Sequence, residues 1–111
     1  MANQFVKTLT VQVGTSPTVV YTTGATTRST VIGINIANTT ASSITVDITF
    51  YDDTNENVGY IVKNVVIARG TALAAIGGDQ KLVLEPGDEI RVTSSAALSA
   101  DVIVSALEIT T

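Results

Sequence analysis

Between Ile44 and Phe50 the chain alternates apolar and polar residues without a break: Ile44-Thr45-Val46-Asp47-Ile48-Thr49-Phe50. A period of two sends successive side chains to opposite faces of an extended strand, so one face meets a core and the other meets water. The wet face here is mostly threonine, with little charge. That choice recurs along the chain, where valine, isoleucine and threonine dominate and leucine is scarce. β-branched side chains are stiff at χ1 and pack well on a pleated surface, so the balance favours strand over helix.

Turn chemistry divides the chain into about eight such strands. Phe5 to Val13 reads as the first, with Phe5, Leu9, Val11 and Val13 on one face. Gly14 to Pro17 is a turn, Thr18 to Thr22 a short strand, and Thr30 to Ala37 a strand with Ile32, Ile34 and Ile36 aligned. The polar run Asn38 to Ser43 has the composition of a hairpin connection back to Ile44–Tyr51. Val58 to Ile67 is extended, with a break expected near Lys63-Asn64. Ala72 to Ile76 is either a helical turn or an extended crossing, and its length disfavours a stable helix. Gln80 to Glu85 is a strand with Leu82 and Leu84 inward. Glu85-Pro86-Gly87-Asp88 reads as a type II turn, since proline presets φ and glycine supplies the positive φ that comes next. Glu89 to Thr93 and Asp101 to Thr110 complete the set. Short strands at regular spacing predict a single domain over residues 1–111: an all-β, antiparallel sandwich, jelly-roll-like or immunoglobulin-like.

The last strand is apolar on both faces: Val102-Ile103-Val104-Ser105-Ala106-Leu107-Glu108-Ile109. One face can meet the core; the other needs a cover. Either loops of the same chain supply it or another subunit does, and Val102, Val104, Leu107 and Ile109 are the candidate residues for self-association or a shell contact. Val65-Val66-Ile67 poses the same question. A mean hydropathy of +0.39 is high for a chain that works alone. Yet no apolar run approaches the ~18 residues that span a bilayer. The opening residues Met1-Ala-Asn-Gln-Phe5 lack the basic and apolar regions of a signal peptide. An interface with other chains is the expected second burial site.

Chemistry is thinly supplied. Histidine and cysteine are both absent. That removes the commonest general base, the commonest transition-metal ligand, any thiolate site and any disulfide. The glycines form no phosphate-binding pattern, and Gly77-Gly78 stands alone. Six basic residues, spread along a chain of net charge −4, make no nucleic-acid patch. Paired carboxylates alone can cleave glycosides, but the chain has no tryptophan to stack a sugar. Asp52, Asp53, Asn55 and Glu56 cluster oxygens without the spacing of a calcium loop, so local turns are expected instead. Asp88 is expected to cap its own turn. Arg28, Lys63, Arg69 and Arg91 read as solvated or paired surface charges, and Tyr21, Tyr51 and Tyr60 as interface anchors or core-rim residues. The expectation is a protein that is not an enzyme and carries no cofactor, metal, nucleic acid or membrane segment.

Four segments together resemble small virion proteins of tailed bacteriophages: Ile32-Gly-Ile-Asn-Ile-Ala-Asn38, Ile44-Thr-Val-Asp-Ile48, Leu82-Val-Leu-Glu-Pro-Gly-Asp-Glu-Ile-Arg-Val-Thr-Ser94 and Asp101-Val-Ile-Val-Ser-Ala-Leu-Glu-Ile109. The resemblance runs from about residue 30 onward and brings no catalytic residues. It implies a structural protein of the particle, made in the host bacterial cytoplasm. Foremost is a capsid decoration (cement) protein that binds a major capsid or other virion protein and associates with itself, as a trimer. A tail, neck or fibre component is the alternative, and a carbohydrate- or cell-surface-binding module lies beyond it.

Overall fold

The structure is a computed structural model that describes residues 2–76 and 81–110. The Gly77-Gly78 pair and Gln80, the expected start of a strand, lie outside the described residues. Among the described residues there are nine strands and no helix: β1 (Ala2–Val13), β2 (Thr18–Thr22), β3 (Thr27–Asn38), β4 (Ile44–Asp52), β5 (Asn57–Ile67), β6 (Ala72–Ile76), β7 (Leu82–Leu84), β8 (Glu89–Ser94) and β9 (Ala100–Thr110). The Ala72–Ile76 ambiguity resolves as extended chain, because β3 offers it a ladder from Ile34 to Ala37.

Two antiparallel sheets stack face to face. The first has the order β1-β9-β3-β6, with β7 also on β3, and the second has the order β2-β8-β4-β5. The pairs β4–β5, β3–β6, β2–β8 and β1–β9 describe one long antiparallel hairpin rolled up on itself. That winding is the jelly roll, one of the two topologies the sequence left open. Ile34, Ile36, Val102 and Val104 of the first sheet meet Val46, Ile48, Ile90 and Val92 of the second in a fully buried core. Each such side chain stabilises the fold by roughly 1.5–3 kcal/mol on burial.

Irregularities in the ladders decide which side chains reach that core. Gln12 takes a positive φ of 57°, where the β1–β9 register shifts between Thr10 and Val13. Its N–H donates to Asp101 Oδ1 at 3.0 Å. One extra residue reverses the parity of the strand beyond it. Phe5, Leu9 and Val11 share a face as expected, but it is the outer face, and Val13 alone turns inward. β3 does the same: its register with β9 shifts between Val31 and Gly33. Ile34 and Ile36 are buried while Ile32 is pushed out of line with them. The break expected near Lys63-Asn64 is a third irregularity. Asn64 has φ 54°, its N–H donates to Asp47 Oδ1 at 2.7 Å, and β5 continues beyond it.

The ends of the sandwich are tied by turns. Gly87 has φ 89°, and Asp88 N–H closes the turn on Glu85 O at 3.0 Å, as a type II turn requires. The buried Asp88 carboxylate accepts the N–H of Glu85 at 2.9 Å and of Asp53 at 3.0 Å, so it caps its own turn and anchors the β4–β5 loop as well. At the opposite end the Ser94 and Ser99 hydroxyls bond each other, and Ser99 N–H donates to Val13 O. Among the described residues, no buried side-chain nitrogen or oxygen lacks a partner.

Candidate interaction surface

The sandwich has two outer faces, and they differ. On the first sheet, side chains directly opposite one another run across four strands: Phe5 beside Leu107, Leu107 beside Thr30, Thr30 beside Val83. A second row sets Leu9 beside Ile103, Ile103 beside Asn35 and Asn35 beside Ala74. Phe5 is 75% exposed, Val83 65%, Leu9 63% and Ile103 42%. Between the two rows Lys7 lies opposite Ser105. Phe5, Lys7, Ile32 and Ser105 are among the residues lining an open depression of about 540 Å³. Ile109 continues the face next to Asn3 and Arg28. A lone exposed leucine is ordinary, whereas several large apolar side chains exposed on one sheet face, interrupted by Thr30, Asn35 and Lys7, make it the candidate contact surface.

The four residues singled out in the last strand therefore divide. Leu107 and Ile109 are half-buried on this outer face. Val102 and Val104 are not available to a partner, because both are 0% exposed in the core between the sheets. Alternation along β9 is the reason: inward Val102, Val104 and Ala106 leave Ile103, Ser105 and Leu107 outward. Phe5, Leu9, Val11, Ile32, Val83 and Ile103 belong to the surface and were missed. The alternation within each strand was visible, but the parity that sends it outward is set by the bulges.

The outer face of the second sheet is polar and charged. Arg91 pairs with Glu89 at 2.7 Å and lies 4.4 Å from the centre of the Tyr51 ring. Lys63 covers Tyr60 at 4.9 Å. Tyr51 ionises less readily than a free tyrosine, chiefly through desolvation and then through the nearby Asp53 charge. Val19, Val58 and Val66 are also exposed on this face, opposite Arg91, Tyr51 and Thr45 respectively. The exposed pair Arg28–Glu85 sits at the rim at 3.1 Å.

Tyr21 is the tyrosine that enters the interior. Its hydroxyl bonds Glu108 Oε2 at 2.5 Å and Ser29 Oγ at 2.6 Å, tying β2 to β3 and β9. Burial, reinforced by the bond to Glu108, pushes its pKa up to about 12. Its two hydrogen bonds make Tyr21 a tie between the two sheets. In the β4–β5 loop, Asp52 accepts bonds from Asn55 Nδ2 and from the N–H of Thr54. The Asn55 amide is the main cause that holds its carboxyl below the usual range. The loop thus closes on itself in local turns. Among the described residues, no group of three or more His, Cys, Asp or Glu side chains could hold a metal ion. No described helix is long and apolar enough to cross a membrane.

The class that this geometry defines is the jelly-roll β-sandwich, and solved structures share it. The chain is similar to a protein of Bacillus endospore appendages, a family of disulfide-linked pili: 14% identity, TM-score 0.57, covering 98% of this chain and 87% of that one. It is also similar to part of a protein of infectious bursal disease virus, Gx strain: 10% identity, TM-score 0.56, 98% of this chain against 31% of that one. The VP2 subviral particle of the same virus matches at 9% identity and TM-score 0.50, over 96% of this chain and 36% of that one. The chain thus spans about a third of the viral chains. No family model and no curated protein sequence matches it.

Proposed function

We propose that this chain is a structural component of a tailed-phage particle: a capsid decoration protein that is not an enzyme and binds through the outer face of its first sheet. The observation that carries the reading is the row Phe5–Leu107–Thr30–Val83, apolar but for one threonine, held outward across four hydrogen-bonded strands. Such a surface binds by area and shape. It needs no titrating group, and with Lys7 as its central charge it leaves little to desolvate on docking. The resemblance to phage virion segments supports the same reading, as do fold neighbours drawn from a pilus and from a viral particle. The pilus neighbour also favours a second reading, a tail or fibre component of the same particle. Copy number separates the two, since a shell protein is present in far more copies than a tail part.

The test is rebinding. Expanded heads stripped of the protein should take up the wild-type chain and regain resistance to heat and osmotic shock. A Phe5→Asp, Leu107→Asp variant that stays folded should not bind. Heads with no affinity for the wild-type chain would refute the decoration role.

A further inference from the structure

A sheet edge offers unpaired backbone groups to any strand that can lie beside it, and folded proteins usually blunt such edges with short strands or bulges. Three edges of this sandwich are blunted. β2 has 5 residues and shifts register between Val19 and Tyr21. β6 has 5 residues and shifts opposite Ile34–Asn35, and its neighbour β7 has only 3. β5 is long, but its register with β4 shifts twice and Asn64 kinks it at φ 54°. β1 is the exception in length and regularity, with Lys7 as its one charged side chain. It runs from Ala2 to Thr10 against β9 without a shift. Among the described residues, no backbone hydrogen bond outside that ladder involves residues 3–11.

The geometry points to β1 as the place where two copies of this chain join, antiparallel, β1 against β1, into one continuous sheet about a two-fold axis. The other edges dictate the occupant. A head-to-tail ladder would need a second regular edge on the same chain, and the described strands offer none. Only the isologous pairing remains for a self-made ladder.

Charge and shape then choose the register. Centring the ladder on Lys7 would set Lys7 opposite its own copy, and like charges directly opposite destabilise a sheet. Centring it on Thr8 sets Lys7 opposite Leu9 of the second copy, and Phe5 opposite its Val11. The latter is an aromatic–β-branched pair of the kind that stabilises cross-strand neighbours. The ladder then ends where Gln12 turns away.

The pairing would also join the two apolar outer faces edge to edge. Four strands about 4.8 Å apart and ten residues long present roughly 600 Å² per copy. Two copies present roughly 1,200 Å², and a standard interface uses about 800 Å² per partner. This two-fold pairing gives a dimer in place of the trimer expected from the sequence, and the free β1 edge exists whether or not a shell is the partner.

The chain has no cysteine, so single cysteines report the register, each against its own exposure: Thr8 is half-buried, its Oγ1 donating to Val20 O at 2.8 Å, while Lys7 and Leu9 are exposed. Lys7→Cys, Thr8→Cys, Leu9→Cys and, as a face control, Ile103→Cys should be oxidised mildly in otherwise wild-type chain and run on a non-reducing gel. Disulfide-linked dimer is expected from Thr8→Cys, because diagonal positions across a ladder lie at or beyond the ~7 Å limit for a disulfide. Sedimentation of the wild-type chain, which does not depend on any variant folding, should show dimer growing with concentration. Monomer at every concentration, or cross-linking led by Lys7, Leu9 or Ile103, would overturn the proposal. Failure to bind heads would leave these results standing, so the two ideas fail separately.

Discussion

The two outer faces of this sandwich are built on similar strands and do opposite things with them. The first sheet turns Phe5, Leu9, Ile103 and Val83 to the outside, with Lys7 between the rows. The second turns out Asp47, Glu89, Arg91, Tyr51 and Tyr60, and its aromatic rings lie under cations. Their inner faces are alike, aliphatic and closed. The lesson is that the core does not explain the composition of this chain. The first sheet exposes Phe5, Leu9, Val11, Ile32, Val83 and Ile103, while the second exposes the smaller Val19, Val58 and Val66 beside Tyr60.

The strongest way to break this contrast is to place the same charge on either side of one strand. Val104→Asp puts a carboxylate where exposure is 0%. It should cost more than about 4 kcal/mol and abolish cooperative unfolding. Ile103→Asp, one residue away on the outer face and 42% exposed, should cost only about 1 kcal/mol of unfolding free energy and still abolish binding to stripped heads. Equal loss of stability in both would mean that the outer face is covered by its own chain.

Gly87→Ala comes next. The position needs φ 89°, and an added Cβ would collide with the Asp53 side chain. A loss of about 1–3 kcal/mol is expected in denaturant titration, along with looser exchange of the Asp53 amide at the tip of the polar sheet.

Alkali should act through the buried tie between the sheets. The Tyr21 pKa is raised from 10.0 to about 12, so its proton is held more tightly in the folded chain than in the unfolded one. The stabilisation is complete below pH 10 and is lost as the pH climbs toward 12. After allowance for screening it is on the order of 1 kcal/mol. Tyr21→Phe should flatten that part of the stability–pH curve.

The smallest effect sharpens the comparison from the other side. Tyr60→Ser on the polar face removes one exposed cation–π contact. It should change stability by less than about 1 kcal/mol and association not at all.

Much of the fold was legible. Alternation at Ile44–Phe50 and the proline–glycine turn at 86–87 gave strand and turn where the structure has them. The expected break at Lys63-Asn64 is a bulge. What the sequence withheld was parity. A period of two says that Phe5, Leu9 and Val11 share a face, but not which one. A single positive φ at Gln12, a residue with no obvious turn signal, sends Val13 inward and leaves the others out. For the same reason Val102 and Val104, read as contact residues, are core, while Ile103 between them is surface. The choice of jelly roll over immunoglobulin topology was also beyond local reading, because it depends on pairings such as Phe5 with Leu107.

The most direct test compares hydroxyl-radical labelling of the isolated chain at low concentration with labelling of the same chain assembled in its particle. Phe5, Leu9 and Leu107 should lose reactivity on assembly while Tyr60 and Val58 keep theirs. Protection of Tyr60 and Val58 with Phe5 and Leu9 still reactive would contradict the account.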